Sequence, residues 1–72
     1  MKIVYTNHAE IRSLQRGIKK ELIEEVIKNP DMILDLDYER KQAIKKINKD
    51  KISVIYVKEG NNITVITVHW GE

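Results

Sequence analysis

The spacing of apolar residues changes at Pro30, the only proline in the chain. Before Pro30, apolar side chains recur every three or four residues, which is the period of an amphipathic helix. After Pro30, they alternate with polar residues, which is the period of a strand. A chain of 72 residues is too short to divide its apolar residues between two cores. We therefore predict one α+β domain over residues 1–72, with two N-terminal helices packed on a mainly antiparallel β-sheet of three to four strands.

The first predicted helix covers residues 8–16. Ile11 and Leu14 fall on one stripe of this helix, and we expect that stripe to face the core. Gly17 can adopt the left-handed conformation that ends a helix. The N-terminal cap is one of two residues with a suitable side-chain oxygen, Thr6 or Asn7.

The second predicted helix covers residues 19–28 and stops at Asn29-Pro30, because the residue before a proline avoids the helical conformation. Its apolar residues recur with the spacing of one helical face. We expect that face to pack against the sheet. It consists of Leu22, Ile23, Val26 and Ile27.

Short strands are predicted on both sides of the helices, at residues 3–5 and 32–38. Residues 52–57 and 63–68 are rich in β-branched side chains, and the turn residues between them indicate a hairpin. Residues 40–48 are ambiguous, since Ala43, Ile44 and Ile47 also fit one helical face. We interpret them as a strand, because a further strand covers a sheet edge that would otherwise stay open.

Composition limits the setting in which the protein works. The chain has no cysteine, which fits a reducing compartment, and it has neither a signal-peptide pattern nor a long apolar run. We therefore expect a cytoplasmic location and no contact with a membrane. The net charge of +2 is too small to indicate nucleic-acid binding by itself. Domains of this size are marginally stable alone, so a homodimer or a stable partner is expected.

His8, Arg12 and Arg16 are spaced by four residues on the first predicted helix, so they lie along one edge. Metal-independent RNA cleavage needs a proton acceptor active near neutral pH and cations that hold the phosphate. Imidazole and guanidinium groups suit these two tasks. The alternative is that the three side chains only pair with acidic residues on a solvated surface.

Four further residues are candidates for the same chemistry. His69, near the end of the last strand, would supply a second acid or base if the sheet brought it near His8. Arg40, Lys41 and Lys45 could follow an RNA backbone along one strand. Lysines that protect an edge strand, and a hydrogen-bonded surface histidine, are the alternatives. The two histidines form no recognisable metal motif, so no metal or other cofactor is predicted.

One motif carries a family resemblance: His8-Ala9-x-x-Arg12-x-x-x-Arg16-Gly17-Ile18, followed by an acidic and apolar helix that ends at Asn29-Pro30. The chain resembles, over almost its whole length, the family called domain of unknown function 4258. That family is similar to small toxins of the RelE and BrnT type, which place helices on an antiparallel sheet and cleave RNA without a metal. The resemblance implies a RelE- or barnase-like toxin architecture, and His8, Arg12 and Arg16 match the family's characteristic positions.

The hypothesis that follows is a toxin-like, metal-independent endoribonuclease acting on free RNA, with a cognate antitoxin as its protein partner. The dense Arg and Lys cluster of ribosome-dependent toxins is not evident in the late strands, which argues against ribosome-dependent cleavage. A non-enzymatic module that binds RNA or a protein is the alternative. An inactive relative that kept the fold is the third reading.

Overall fold

The computed structural model describes residues 2–71, so the predicted domain limits at residues 1 and 72 lie just outside it. The elements follow one another as β1 (Lys2–Tyr5), α1 (Asn7–Arg16), α2 (Lys20–Lys28), β2 (Met32–Asp35), β3 (Arg40–Ile47), β4 (Asp50–Glu59) and β5 (Asn62–Trp70). The α+β class is confirmed. The predicted count of three to four strands is wrong, because the described chain forms five. The strand predicted at residues 3–5 precedes the helices, as β1.

The sheet has the strand order β1-β5-β4-β3-β2. Its last four strands form an antiparallel meander, whereas β1 pairs parallel to β5, with Ile3 opposite Ile63. Five segments are predicted as strands, but only three to four as members of the sheet, because β1 gains its partner from the far end of the chain. A local sequence pattern cannot show such a long-range pair.

A β-bulge in β5 changes which side chains face the helices. Ile55 pairs with Thr67 and Tyr56 pairs with Val65, so Ile66 is the extra residue. Thr6 stabilises the bulge, since its N–H donates to the Val65 carbonyl at 3.1 Å and its hydroxyl donates to the Ile66 carbonyl at 3.0 Å. Simple alternation would have placed Val65, Thr67 and His69 on one face. The bulge instead turns Val65 to the core and leaves the other two on the opposite face.

The hydrophobic core lies between the two helices and one face of the sheet. Both helices contribute to the same cluster of buried side chains, so they cover the same face. At its centre are residues with no exposed surface: Ala9, Ile23, Val26, Ala43, Ile52, Val54, Val65 and Val68. No helix within residues 2–71 covers the other face.

Helix α1 packs through small residues. Ala9 and Ser13 are buried, whereas Ile11 and Leu14 are 53% and 83% exposed. The predicted core stripe of α1 is therefore wrong. Small side chains let the helix backbone approach β5 closely, and the Ser13 hydroxyl donates to the Ile18 carbonyl.

The ends of α1 follow from its own sequence. The side chain of Thr6 accepts a hydrogen bond from the Ala9 N–H at 3.0 Å, and Gly17 ends the helix with φ of 64°. Both capping predictions are confirmed, with Thr6 rather than Asn7 as the cap. Because Thr6 also bonds to Ile66, the start of α1 is fixed to the bulge in β5.

Helix α2 packs through the predicted face, with Ile23, Val26 and Ile27 buried. The residue before it, Lys19, occupies the N-cap position but provides no side-chain hydrogen bond. At the C-terminal end, Lys45 Nζ donates to the Asn29 carbonyl oxygen at 2.9 Å. The end of α2 is thus stabilised by a cation from β3.

The strand predicted at residues 32–38 ends at Asp35, because Tyr38 and Glu39 adopt left-handed φ angles of 62° and 61° and form the turn into β3. The ambiguous segment 40–48 is a strand, as predicted, and β3 covers Arg40–Ile47. Among residues 2–71, neither helix is long and apolar enough to cross a membrane.

Candidate functional site

His8, Arg12 and Arg16 form a row along one flank of α1, which we call the α1 cation row. The buried residues Ala9 and Ser13 define the side of α1 that faces the sheet. The row runs beside that buried side, and the side chains of His8 and Arg16 are exposed while Arg12 is half-buried. Helical spacing thus gathers an imidazole and two guanidinium groups within two turns.

No carboxylate of residues 2–71 forms an ion pair with the arginines of the row. Arg12 Nη1 donates to Gln15 Oε1 at 3.1 Å, which leaves most of the guanidinium donors available. In the described part of the chain, residues 2–71, ion pairs within 4.0 Å join only Lys20 to Glu10 and Lys41 to Asp35. A guanidinium without a carboxylate can present its planar pair of donors to two oxygens of a phosphate.

The row lies on open surface. A cavity of about 530 Å³ occupies the turn between α1 and α2, but Glu10 and Leu14 line it from the other flank of α1. Glu10 on that flank pairs with Lys20 at 2.7 Å. An open row suits a long, flexible polyanion better than a small molecule, which needs a concave pocket.

The structure does not join His69 to the row. Val68 is in the core and the Trp70 indole contacts α1, so His69, between them on β5, faces the side of the sheet away from the helices. It lies opposite Ser53 in the β4–β5 pairing. Its Nδ1 is 3.4 Å from the Trp70 carbonyl oxygen. His8 and His69 are therefore on opposite sides of the sheet.

The β3 cations have structural contacts. Lys41 Nζ is 2.6 Å from Asp35 Oδ1, and that hydrogen bond and charge raise the pKa of Lys41. Lys45 is bonded to the end of α2. Lys41 and Lys45 share the helix-covered face with Ala43, whereas Arg40 lies on the opposite face. The three residues therefore do not form one continuous patch with each other.

Arg40 has two partners within its own hairpin. Its Nε donates to the Asp37 carbonyl oxygen at 3.1 Å, and its guanidinium carbon lies 5.7 Å from the centre of the Tyr38 ring. The ring contact has cation–π geometry. These contacts hold Arg40 against the β2–β3 turn rather than toward α1.

Trp70 is a positioning residue that the sequence did not reveal. Its Nε1 donates to the Arg16 carbonyl oxygen at 3.0 Å, which ties the end of β5 to the last turn of α1. Its side chain is nevertheless 39% exposed. The bond joins residues 54 positions apart, so no local pattern could have indicated it. Together, Thr6 and Trp70 fix both ends of the helix that carries the row.

Within residues 2–71, no group of three or more His, Cys, Asp or Glu side chains is placed to hold a metal ion. The candidate site consists of the Arg and His side chains on α1. Their chemistry matches an anionic ligand, because each offers N–H donors and positive charge.

Comparison with known proteins identifies a structure with a similar fold and a family whose model matches this chain. The fold is similar to the crystal structure of the Brucella abortus ribonuclease toxin BrnT, with a TM-score of 0.76 and 21% sequence identity, covering 100% of this chain and 97% of that one. Among curated proteins, none matches the chain significantly. The model of one family, described as domain of unknown function (DUF4258), matches residues 5–70. The chain therefore belongs to the DUF4258 family.

Proposed function

We propose that the protein is a toxin-like endoribonuclease that cleaves RNA without a metal. The observation that supports this proposal most is the α1 cation row, whose guanidinium groups have no carboxylate partner within residues 2–71. The fold shared with a ribonuclease toxin agrees with it. A cognate antitoxin is the protein partner proposed with this activity.

In the proposed mechanism, Arg12 and Arg16 hold the non-bridging oxygens of one phosphodiester. Successive members of the row are about 6 Å apart along the helix axis, so His8 can reach the adjoining ribose. His8 accepts the proton of the 2′-hydroxyl, and the 2′-oxygen then attacks phosphorus. The bond from phosphorus to the 5′-oxygen breaks, leaving a cyclic phosphate and a 5′-hydroxyl group.

The leaving 5′-oxygen needs a proton, and this requirement defines the second candidate function. His69 is the predicted second acid or base, and the ammonium group of Lys45 is another group that can donate a proton. His69 faces the other side of the sheet and Lys45 is bonded to Asn29. This separation favours an RNA-binding module in which the same row grips the backbone without cleaving it.

The deciding experiment incubates the purified chain with end-labelled single-stranded RNA and analyses the products for cyclic-phosphate ends. His8→Ala should reduce cleavage by on the order of a hundredfold to ten-thousandfold, the usual contribution of a general acid or base. His69→Ala is the matched control and should leave the rate within twofold. Unchanged cleavage by His8→Ala would remove His8 from the mechanism.

A salt titration of RNA binding tests the phosphate contacts separately from turnover. For single strands, each phosphate contact contributes about 0.7 to the slope of log affinity against log salt. Losing both guanidinium groups in Arg12→Ala/Arg16→Ala should therefore flatten the slope by about 1.4. The control Lys41→Ala, whose side chain is bonded to Asp35, should keep the original slope. Binding without cleavage in the unmodified protein would select the RNA-binding module.

A further inference from the structure

Strand β2 lies at one edge of the sheet, with only β3 beside it. Its four residues are exposed, and three consecutive side chains are large and apolar: Met32 at 55%, Ile33 at 48% and Leu34 at 41%. Edge strands are normally protected by lysine, proline, a bulge or a covering segment. β2 contains neither lysine nor proline, and no second strand of residues 2–71 pairs with its outer side. Such an edge is suited to pairing with another chain.

The backbone of β2 offers free hydrogen-bonding groups on this outer side. The Leu36 N–H donates to the Arg40 carbonyl oxygen at 2.8 Å, so it points toward β3. Successive residues of a strand direct their N–H and C=O groups to alternate sides. The backbone N–H and C=O groups of Leu34 therefore also point toward β3. Ile33 and Asp35 therefore direct their N–H and C=O groups outward. An added strand would form its backbone hydrogen bonds with these outward N–H and C=O groups, which lie two residues apart.

The charges around β2 indicate the kind of chain that fits. Residues 31–39 contain four acidic residues and no basic one: Asp31, Asp35, Asp37 and Glu39. Antiparallel pairing of two β2 strands about Ile33 would place Asp31 of each copy opposite Asp35 of the other. Like charges opposite one another destabilise a strand pair. A cationic strand is therefore favoured over a second copy of this chain.

β3 shows which sequence pairs well with β2, because it already occupies the inner side. Lys41 forms the 2.6 Å ion pair with Asp35, and Ile44 and Ala43 lie opposite Met32 and Ile33. We propose that β2 accepts, as a sixth strand, an extended cationic segment of a partner protein in which Lys or Arg residues are interspersed with apolar ones. The carboxylates of Asp37 and Glu39, which have no bonded partner within residues 2–71, are available to its cations.

This surface is separate from the α1 cation row. Helix α1 packs on β5, whereas β2 lies at the opposite edge, beyond β4 and β3. The two surfaces also differ in charge. The inference therefore does not depend on RNA binding or cleavage, and each can fail without the other.

The test uses the full chain and a fluorescent synthetic peptide with the sequence of residues 40–47, binding being measured by fluorescence anisotropy. Ile33→Pro removes an outward N–H without removing a β2–β3 hydrogen bond, so the fold should survive. We expect it to weaken binding at least tenfold. Asp37→Lys should also weaken binding, whereas the matched charge change Glu25→Lys, on the exposed surface of α2, should leave it within twofold.

Amide hydrogen exchange locates the contact. On peptide binding, the N–H groups of Ile33 and Asp35 should become protected, while α1 should be unaffected. Absence of binding, equal binding by Ile33→Pro, or binding of a control peptide with Glu in place of every Lys and Arg would overturn the proposal. Self-association that Ile33→Pro abolishes would identify a second copy as the occupant and would overturn it as well.

Discussion

The two helices use their apolar residues in opposite ways. Helix α2 buries Ile23 and its neighbours in the core, whereas α1 leaves Ile11 and Leu14 exposed and contacts the sheet through Ala9 and Ser13. Helical spacing shows which residues share a face, but it does not show which face is buried. Helix α2 therefore serves mainly the core, while α1 lies close against β5 and keeps its longer side chains available at the surface.

The helix ends differ in the same way. Helix α1 is capped by residues next to it in sequence, Thr6 and Gly17. Helix α2 has no side-chain cap at its start, and its end depends on Lys45 from β3. The position of α1 is thus set mainly by local sequence and by its tie to β5, whereas α2 depends on tertiary contacts.

The largest difference should appear when an apolar residue of each helix is shortened. Ile23→Ala removes a side chain with 0% exposure and should lower the free energy of unfolding by about 2 to 5 kcal/mol. Leu14→Ala, at a position 83% exposed, should change it by less than about 0.5 kcal/mol. Urea denaturation of both variants measures the contrast. A comparable loss in the two variants would show that Leu14 is buried after all, by self-association for example.

A smaller effect is expected at the start of α1. Thr6→Ala removes the cap of the helix and also the hydroxyl bond to Ile66, so stability should fall by about 1 to 2 kcal/mol. Thr6→Ser keeps the oxygen and is the matched control, with most of the stability retained. If the two variants unfolded at the same urea concentration, the lost methyl group rather than the two bonds would account for the change.

Local sequence patterns predict some features of this fold but not the contacts between distant residues. The limits of both helices and the left-handed Gly17 follow from local patterns, because capping, periodicity and turn chemistry act between near neighbours. Residues 40–47 also fit a helical face, and the strand there follows only when the open sheet edge is considered. The parallel β1–β5 pair, the bulge at Ile66 and the Trp70 bond to Arg16 join distant parts of the chain. No local pattern contains them.

The candidate site also contains residues whose placement follows from local sequence and residues whose placement depends on tertiary contacts. The spacing of His8, Arg12 and Arg16 on one helix edge follows from sequence, since it depends only on helical geometry. The placement of His69 on the opposite sheet face depends on the register of β5 after the bulge. The contacts of Lys41 and Lys45 depend on which strands and helix ends become neighbours. A count of cations along the chain cannot distinguish those that have partners from those that do not.

Tyr5 links the end of β1 to α2, and its contribution should depend on pH. Its hydroxyl donates to Glu24 Oε2 at 3.2 Å, and burial together with the Glu24 charge raises the pKa of Tyr5 above its ordinary value. Tyr5→Phe should cost about 0.5 to 1.5 kcal/mol near neutral pH, the usual net value of one hydrogen bond. Urea denaturation at pH 7 provides the first measurement.

The sign of the pH dependence follows from the raised pKa. Below about pH 10, tyrosine is neutral in both the folded and the unfolded state, so Tyr5 adds no pH dependence. Above that pH, the unfolded chain loses the proton while the folded chain retains it, and stability falls as the pH rises. Tyr5→Phe lacks this loss. The stability gap between the two proteins should therefore narrow from pH 9 to pH 11, and a constant gap would contradict the raised pKa.

The smallest expected effect on stability is that of Lys45→Ala, which tests whether Lys45 stabilises the end of α2 or contacts RNA. If its ammonium group serves the end of α2, Lys45→Ala should lower stability by about 0.3 to 1 kcal/mol and leave RNA affinity unchanged. If Lys45 follows the RNA backbone, as the sequence suggested, the variant should instead lose affinity and reduce the salt slope by about 0.7. Lys49→Ala, in the exposed β3–β4 turn, is the control for loss of one positive charge. The ammonium group of Lys45 can bind either the carbonyl end of α2 or a phosphate. If Lys45→Ala lowers RNA affinity more than Lys49→Ala does, the RNA-binding surface extends from α1 to β3.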